Sequence, residues 1–540
     1  MKPKKMNSQK EEPFIKNLDH LGIVAGIVDE IGIVERINDV LGTDTRERVN
    51  AGEVVKAIIL NGLGFVSKPL YLFSQFFEDK AIEHLLGEGI KAEDLNDDKL
   101  GRVMDKLYKY GLTKLFLIIA LEVVKKYEIS TKYSHLDSTS LHLHGKYNNR
   151  LDNQEKELEI IRENPIIITQ GYSRDHRPDL KQCILDLIVS SDGDIPLFFR
   201  GGSGNESDKT VFGKILVEYS KQIDFESIMV ADSALYSENN LKLMENIKWI
   251  SRVPLSIKKA KNLVKAFLSA ELNKSEIKGY SYQEQKVTYG GIEQRWLLVE
   301  SEDRKKADLK KLTQKIKSEF LKIGKQIAKL ASDEFEQPSL AISKIKELES
   351  KLKYHEISEI KIIEEEIKNK KVIYKVVGEL IENQELITEN QTSCGRFILA
   401  TNILDMTELD APEILIIYKQ QQSSERGFRF IKDPLFFADS LFVKNPERVE
   451  TMMMLMGLCL LVYNLGQRQL RSSLKTEKAT VKNQLNKPTE RPTLRWIFQC
   501  FQGIHVLITQ GVKRIINFTE ERCRILQFLP SSCQKYYFFA

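Results

Sequence analysis

Near residue 130 the hydrophobic period of the chain changes, and that switch limits the folds open to it. Before it, "AGEVVKAIILNGLGF" and "DDKLGRVMDKLYKYGLTKLFLIIALEVVKKY" repeat apolar residues at helical spacing. Asp97 or Asp98 is placed to cap the second run. After the switch, "KYSHLDSTSLHLHG" alternates as a strand does. "QCILDLIVSSDGDIPLFFRGG" reads as two strands joined by a turn at Ser191, Asp192, Gly193 and Asp194. Ser207 can cap a helix through "DKTVFGKILVEYSKQI". "SIMVADSA" is a buried strand ending in Asp232, "NNLKLMENI" a short helix and "KWISRVP" a further strand. The order over 130–253 is therefore β-β-β-α-β-α-β.

The segment 255–400 interrupts this pattern. Its first part, through "YSYQEQKVTYGGIEQRWLLVES", is strand-rich with a turn at Gly290 and Gly291. Leu309, Leu312, Ile316, Phe320, Ile323, Ile327 and Leu330 then form one apolar helical stripe. After a break near Pro338, Ile342, Ile345, Leu348 and Leu352 begin a second stripe, which predicts an antiparallel helical hairpin. A structural arm, a dimerising coiled coil and a DNA contact all fit it. "RFILATN" (396–402) returns to strand. Pro412 sits where a helix can start, and Gly427 is a possible break within it, costing about 1 kcal/mol relative to Ala. "VETMMMLMGLCLLVYNLGQRQL" has the strongest core-helix pattern in the chain.

With 540 residues the chain exceeds one small core. The expected domains are 1–128 (helical, for DNA binding, dimerisation or packing), 129–254 (first part of an α/β core), 255–395 (insertion), 396–475 (second part of the core) and 476–540 (basic segment). From Asn464 onward there are thirteen Lys/Arg against four Asp/Glu, an excess of nine that leaves the rest at −4 within a net charge of +5. That asymmetry fits a polyanion partner or a solvated tail. The six cysteines show no C-x-x-C pair or zinc-finger spacing, as in a cytosolic protein with reduced thiols. The N-terminus is polar, without an apolar signal core. The longest apolar run, Met452 to Tyr463, is shorter than the roughly twenty residues of a membrane span, so no membrane partner is expected.

Three carboxylates stand in distinct settings. Asp137 interrupts a strand, Asp232 ends one, and Glu425 lies in a helix-compatible stretch. Phosphoryl transfer needs two divalent cations about 3.5–4 Å apart, held by carboxylates on a rigid scaffold. Scattered carboxylates on separate core elements can supply that. His142 and His144 share a strand face that His135 does not, and nothing completes a tetrahedral zinc set.

These residues resemble a family. "HLDSTSLHLHGKY", "GYSRDHRPDLKQ" and the spacing Tyr418, Gln421, Glu425, Lys432 are similar to the DDE transposases of bacterial insertion sequences. The closer resemblance is to the group with a core split before the Glu and a Y-x2-R-x3-E-x6-K signature. It covers most of residues 95–470, and Gln421 departs from the family's Arg. The element order and the resemblance together imply an α/β fold with a ribonuclease H-like catalytic core, a large insertion before the catalytic Glu, and an N-terminal α-helical domain. Asp137 would bridge two Mg²⁺ ions (Mn²⁺ can substitute), with Asp232 holding one and Glu425 the other. Tyr418, Gln421, Lys432, Arg174, His176, Arg177 and Lys181 become candidate DNA contacts, although the loop 171–182 also reads as plain surface. The implied activity is cut-and-paste transposition. It would act on double-stranded DNA, both element ends and target, in a homodimeric synaptic complex in the prokaryotic cytoplasm at the nucleoid. A Mg²⁺-dependent nuclease without strand transfer and an inactive DNA-binding derivative are the alternatives.

Overall fold

The computed structural model describes residues 14–143, 147, 165–172, 177, 179–223, 226–367, 371–433, 444–509 and 511–538. The chain forms two compact units, one of 1–249 with 417–540 and one of 250–416.

The first unit opens with a short strand, β1 (Phe14–Asn17), and the helices α1 (Leu21–Ile31), α2 (Ala51–Gly62), α3 (Asp97–Tyr110) and α4 (Leu112–Lys126). Asn50 and Glu53 close a capping box on α2. The run expected as one helix from Asp97 is two. Gly111, at φ 104, turns the chain between them in a region that disfavours side chains. The cap is Asn96, one residue ahead of the two aspartates expected, and its side chain accepts from the Lys99 amide at 3.0 Å.

The strands follow in the expected order: β2 (Tyr133–Leu143), β3 (Lys181–Ser190) and β4 (Pro196–Ser203), helix α5 (Asp208–Gln222), β5 (Ile228–Ala231), the short α6 (Glu238–Leu243) and β6 (Trp249–Val253). Within the first unit the order is β4-β3-β2-β5. β2 runs antiparallel to β3 and parallel to β5, so the sheet is mixed. Beside β5 the Met229 amide donates to Lys248 O at 2.8 Å, on the approach to β6. β3 and β4 are buried almost throughout, which is why both read as continuous apolar runs. The β3–β4 turn carries the left-handed residues Gly193 and Asp194 where the sequence placed it.

In the second unit β6 pairs with β11 (Arg396–Thr401), β11 with β8 (Ile292–Ser301) and β8 with β7 (Tyr280–Tyr289), all antiparallel. Gly290 and Gly291 both have positive φ at the β7–β8 turn. The long helix is α7 (Glu302–Ser332), followed by α8 (Pro338–Glu349) with Pro338 in its first turn. The stripes do not pack only on each other, as a bare helical hairpin would. Ile323, Ile327, Ala341, Ile345 and Leu348 share a core with Ile357 and Val376. These last two belong to a β-hairpin, β9 (His355–Ile367) and β10 (Lys371–Glu382), which the sequence reading missed.

The chain returns through α9 (Ala411–Gln420), α10 (Gln422–Ile431) and α11 (Pro446–Thr476). The possible break at Gly427 is not used. The helices part at Gln421, and Gly427 lies inside α10, where an added Cβ would stand 3.1 Å from Leu460 of α11. Glycine therefore serves close packing there. α11 is long and apolar enough to cross a membrane by length and composition, yet 89% of that apolar stretch is buried. It packs against α1, α2, α3, α4, α10 and β4. After α11 come β12 (His505–Thr509) and β13 (Val512–Ile516), with β1 added to β12, and two short helices, Glu520–Gln527 and Ser531–Gln534, follow. Near the C-terminus the Cys533 backbone lies so close to Gly26 of α1 that a Cβ there would sit 2.4 Å from it. All six cysteines are free thiols.

Candidate functional site

The parallel ladder between β2 and β5 sets the site. Leu136 pairs with Ala231, and the next residue on each chain is Asp137 and Asp232. Neighbouring strands lie about 4.8 Å apart, so two carboxylate-bearing residues fall on adjacent backbone at one level of the sheet. Both are half-buried. Asp137 accepts from the Ser138 amide at 2.8 Å, and Asp232 from the Ala234 amide at 2.8 Å. The second contact folds the chain into an Asx turn as it leaves β5.

Glu425 occupies the first turn of α10 and is exposed. α10 packs across β2 and β3, so the third carboxylate comes from a helix laid over the strand that carries Asp137. Arg426, its neighbour, holds this helix to the β3–β4 turn through Asp194, with Nη2 to Oδ2 at 2.9 Å. Asn464 of α11 donates to the Asp194 carbonyl at 2.6 Å, and Arg468 grips Asp192 at 2.7 Å. The turn between two sheet strands thereby fixes both helices.

Among the described residues no three His, Cys, Asp or Glu side chains converge as a ligand set. Carboxylates repel one another when no cation lies between them. The donor chemistry of Asp137, Asp232 and Glu425 is all hard oxygen, which suits Mg²⁺ or Mn²⁺ rather than zinc.

The other candidates are spread out. Tyr418 is on α9 and Gln421 at the joint before α10, both half-buried. Helical phase relates residues only within one helix, so the seven-residue spacing from Tyr418 to Glu425 does not by itself give them one face. Lys432 caps the C-terminal end of α10, roughly 10 Å along the axis from Glu425. Lys181 pairs with Leu143, six positions along the ladder from Asp137 and so about 20 Å away. Arg177 forms a two-pronged pair with Asp179 at 2.9 and 2.8 Å, and the guanidinium holds that carboxyl down at about 2. Arg174, His176 and His144 lie outside the described residues.

Two features escaped the sequence reading. Ser138, Asp186 and Arg200 form one row across β2, β3 and β4. Ser138 donates to Asp186, Arg200 reaches Asp186 at 2.6 Å and Glu206 at 2.7 Å, and Asp186 and Arg200 are both about 1% exposed. An Asp and an Arg inside two apolar runs of one hairpin were the available signal. The other is His135, on the Asp137 face of β2. It is fully buried, neither ring nitrogen has a hydrogen-bond partner, and burial pushes its pKa down to about 4.

Compared with known families, residues 134–465 match the family described as a transposase DDE domain. Residues 13–121 match a domain of unknown function, DUF4277. No curated protein matches the chain.

Proposed function

The chain belongs to the transposase DDE domain family, and from that premise we propose that Asp137, Asp232 and Glu425 are its catalytic carboxylates. It is a DDE-type transposase, a polynucleotidyl transferase acting in DNA transposition, and its family uses divalent metal ions. The observation that carries the assignment is the β2–β5 ladder, which sets Asp137 and Asp232 side by side, with α10 crossing β2. The strand order β4-β3-β2-β5 supports a ribonuclease H-like core into which 255–395 is inserted.

In this reading Asp137, Asp232 and Glu425 would together hold the divalent cations, which would be Mg²⁺ or Mn²⁺. When bound, the ions activate the attacking oxygen and stabilise the leaving one. The sheet holds Asp137 rigidly, because β2 and β3 are locked by the buried Ser138–Asp186–Arg200 row, and β5 keeps Asp232 level with it through the parallel ladder. Helix α10 sets the height of Glu425 above that sheet. Lys432, and more weakly the uncharged Gln421, position the scissile phosphate. Hydrolysis frees a 3′-hydroxyl at each element end, which then attacks target DNA at the same site. The helical module and basic surfaces bind the terminal inverted repeats, and two chains pair to bring two ends together.

The test is separate replacement of Asp137, Asp232 and Glu425 by Ala, assayed on DNA carrying the element's own ends. Cleavage should vanish in each variant while end binding and cooperative folding persist. Full cleavage by any one of them removes that residue from the site. Cleaved but never joined ends would leave a nuclease without strand transfer.

A further inference from the structure

Beside the catalytic helix lies a cleft of about 360 Å³ lined by α10, α11 and the segment 491–495, within the size range of ligand pockets. Its floor is apolar, from Phe430, Leu460 and Tyr463, and its walls carry five arginines and two aspartates. Two arginines are neutralised: Arg426 by Asp194 at 2.9 Å and Arg495 by Asp433 at 2.7 Å. The remaining three make no direct ion pair with a carboxylate among the described residues, although Asp194 acts on Arg471 from a distance. Arg429 and Arg491 are exposed, and among the described residues Arg471 donates its Nε to Pro492 O at 2.9 Å. Burial first and Arg491 next hold the pKa of Arg471 below its ordinary value, against the opposing pull of Tyr463 and Asp194. Three arginines without a direct ion-pair partner around one concavity repel each other, and an anion set between them adds attractive terms that offset that repulsion.

We propose that Arg429, Arg471 and Arg491 form a second DNA-backbone site, which grips phosphodiesters of the strand running past Glu425. This rests on the active-site assignment above. The choice of a DNA phosphate over a free one comes from position. Arg429 is four residues from Glu425 on α10, roughly 6 Å along the same helical edge. A strand presenting its scissile phosphate to Glu425 must therefore pass the cleft. Duplex DNA carries a charge about every 1.7 Å of axis, so phosphates are in reach without distortion. The planar guanidinium fork matches a phosphate's two free oxygens. Arg471 and Arg491 belong to the basic excess at the C-terminal end of the sequence, so part of that excess lies beside α10.

The experiment uses the full chain and the double variant Arg429→Gln with Arg491→Gln, chosen because both residues are exposed, alongside Arg429→Lys with Arg491→Lys. Binding of a short mixed-sequence duplex is measured against salt, with Mg²⁺-dependent nicking of supercoiled plasmid in parallel. Losing two phosphate contacts should lower the log–log salt slope by about two units, at unchanged melting temperature, and the lysine pair should restore most of it. An unchanged slope in a glutamine variant whose nicking still depends on Glu425 overturns the cleft and leaves the active site standing. Nicking that survives Glu425→Ala sinks the active-site assignment, and the inference with it. Inorganic phosphate that raises the melting temperature of the wild type but not of the glutamine variant, with the duplex slope unchanged, makes the cleft a free-phosphate site and also overturns the inference.

Discussion

At the scale of single residues, the most consequential buried group away from the three carboxylates is Arg200. It bridges Asp186 at 2.6 Å and Glu206 at 2.7 Å with almost no solvent access. A buried ion pair is weak evidence of net stability, because desolvation offsets most of the attraction. Removing one partner is different, since it strands charge in a medium that cannot solvate it. Arg200→Met should therefore destabilise the chain by roughly 3–5 kcal/mol in denaturant unfolding. Adding Asp186→Leu and Glu206→Gln to it should recover a large part. A cost below about 1 kcal/mol for the single change would mean that water reaches the pair. The row also explains a limit of reading by sequence. Asp137 and Asp232 were visible because each interrupts or ends an apolar run. The Asp186–Arg200 pairing needed the register of β3 on β4, which two opposite charges inside apolar runs suggest but do not determine. His135 was seen as a strand residue, but its burial depends on what packs over β2, and no local pattern reports that.

At the scale of elements, strand order and most helices were legible, because period-2 and period-3.6 patterns survive in this sequence. The failures have separate causes. The β9–β10 hairpin was lost behind the strong helical stripe of α7, although its alternating Ile and Val were present. A break within the helix that carries Glu425 was possible at Gly427 because glycine disfavours helices. In the fold Gly427 lets α10 approach α11, and the helices part at Gln421 instead. That joint places Gln421 and Lys432 at opposite ends of one helix. They bracket α10, one at its entrance and one at its exit. If Lys432 positions the scissile phosphate, Lys432→Ala should lower the rate of cleavage, roughly tenfold or more, with little loss of end binding, because phosphoryl transfer depends heavily on positioning. Gln421→Arg, restoring a charge at the helix joint, should tighten binding of pre-cleaved ends. Gel shifts with cleaved and uncleaved end DNA separate the two effects. If Gln421→Arg changes neither affinity nor rate, position 421 does not meet DNA.

At the scale of the whole molecule, the first unit is closed by contacts between its two chain ends, which no local pattern could reveal. The Tyr537 hydroxyl donates to Asp19 O, and Lys56 binds both Asp29 at 2.6 Å and Tyr536 at 2.8 Å. His20 is the titratable centre of this closure. It stacks on Phe498 and is wholly buried. Its Nε2 lies 2.8 Å from Leu63 O and its Nδ1 2.7 Å from the Gln502 amide nitrogen. The neutral ring satisfies both contacts, donating through Nε2 and accepting at Nδ1. A second proton would point at the Gln502 NH₂, donor against donor, inside an apolar setting. Burial accordingly pushes the His20 pKa down from 6.5 to about 4. Between those values the unfolded chain holds the proton and the folded chain does not, so stability falls as pH drops from about 6.5 to about 4. The full loss is on the order of 3 kcal/mol for this group. His20→Gln should start less stable at neutral pH and then lose less on acidification. The check is denaturant unfolding of both proteins at several pH values across that window. Two curves that fall in parallel would show that His20 takes up its proton in the folded state, and that the closure of the chain ends does not depend on its neutrality.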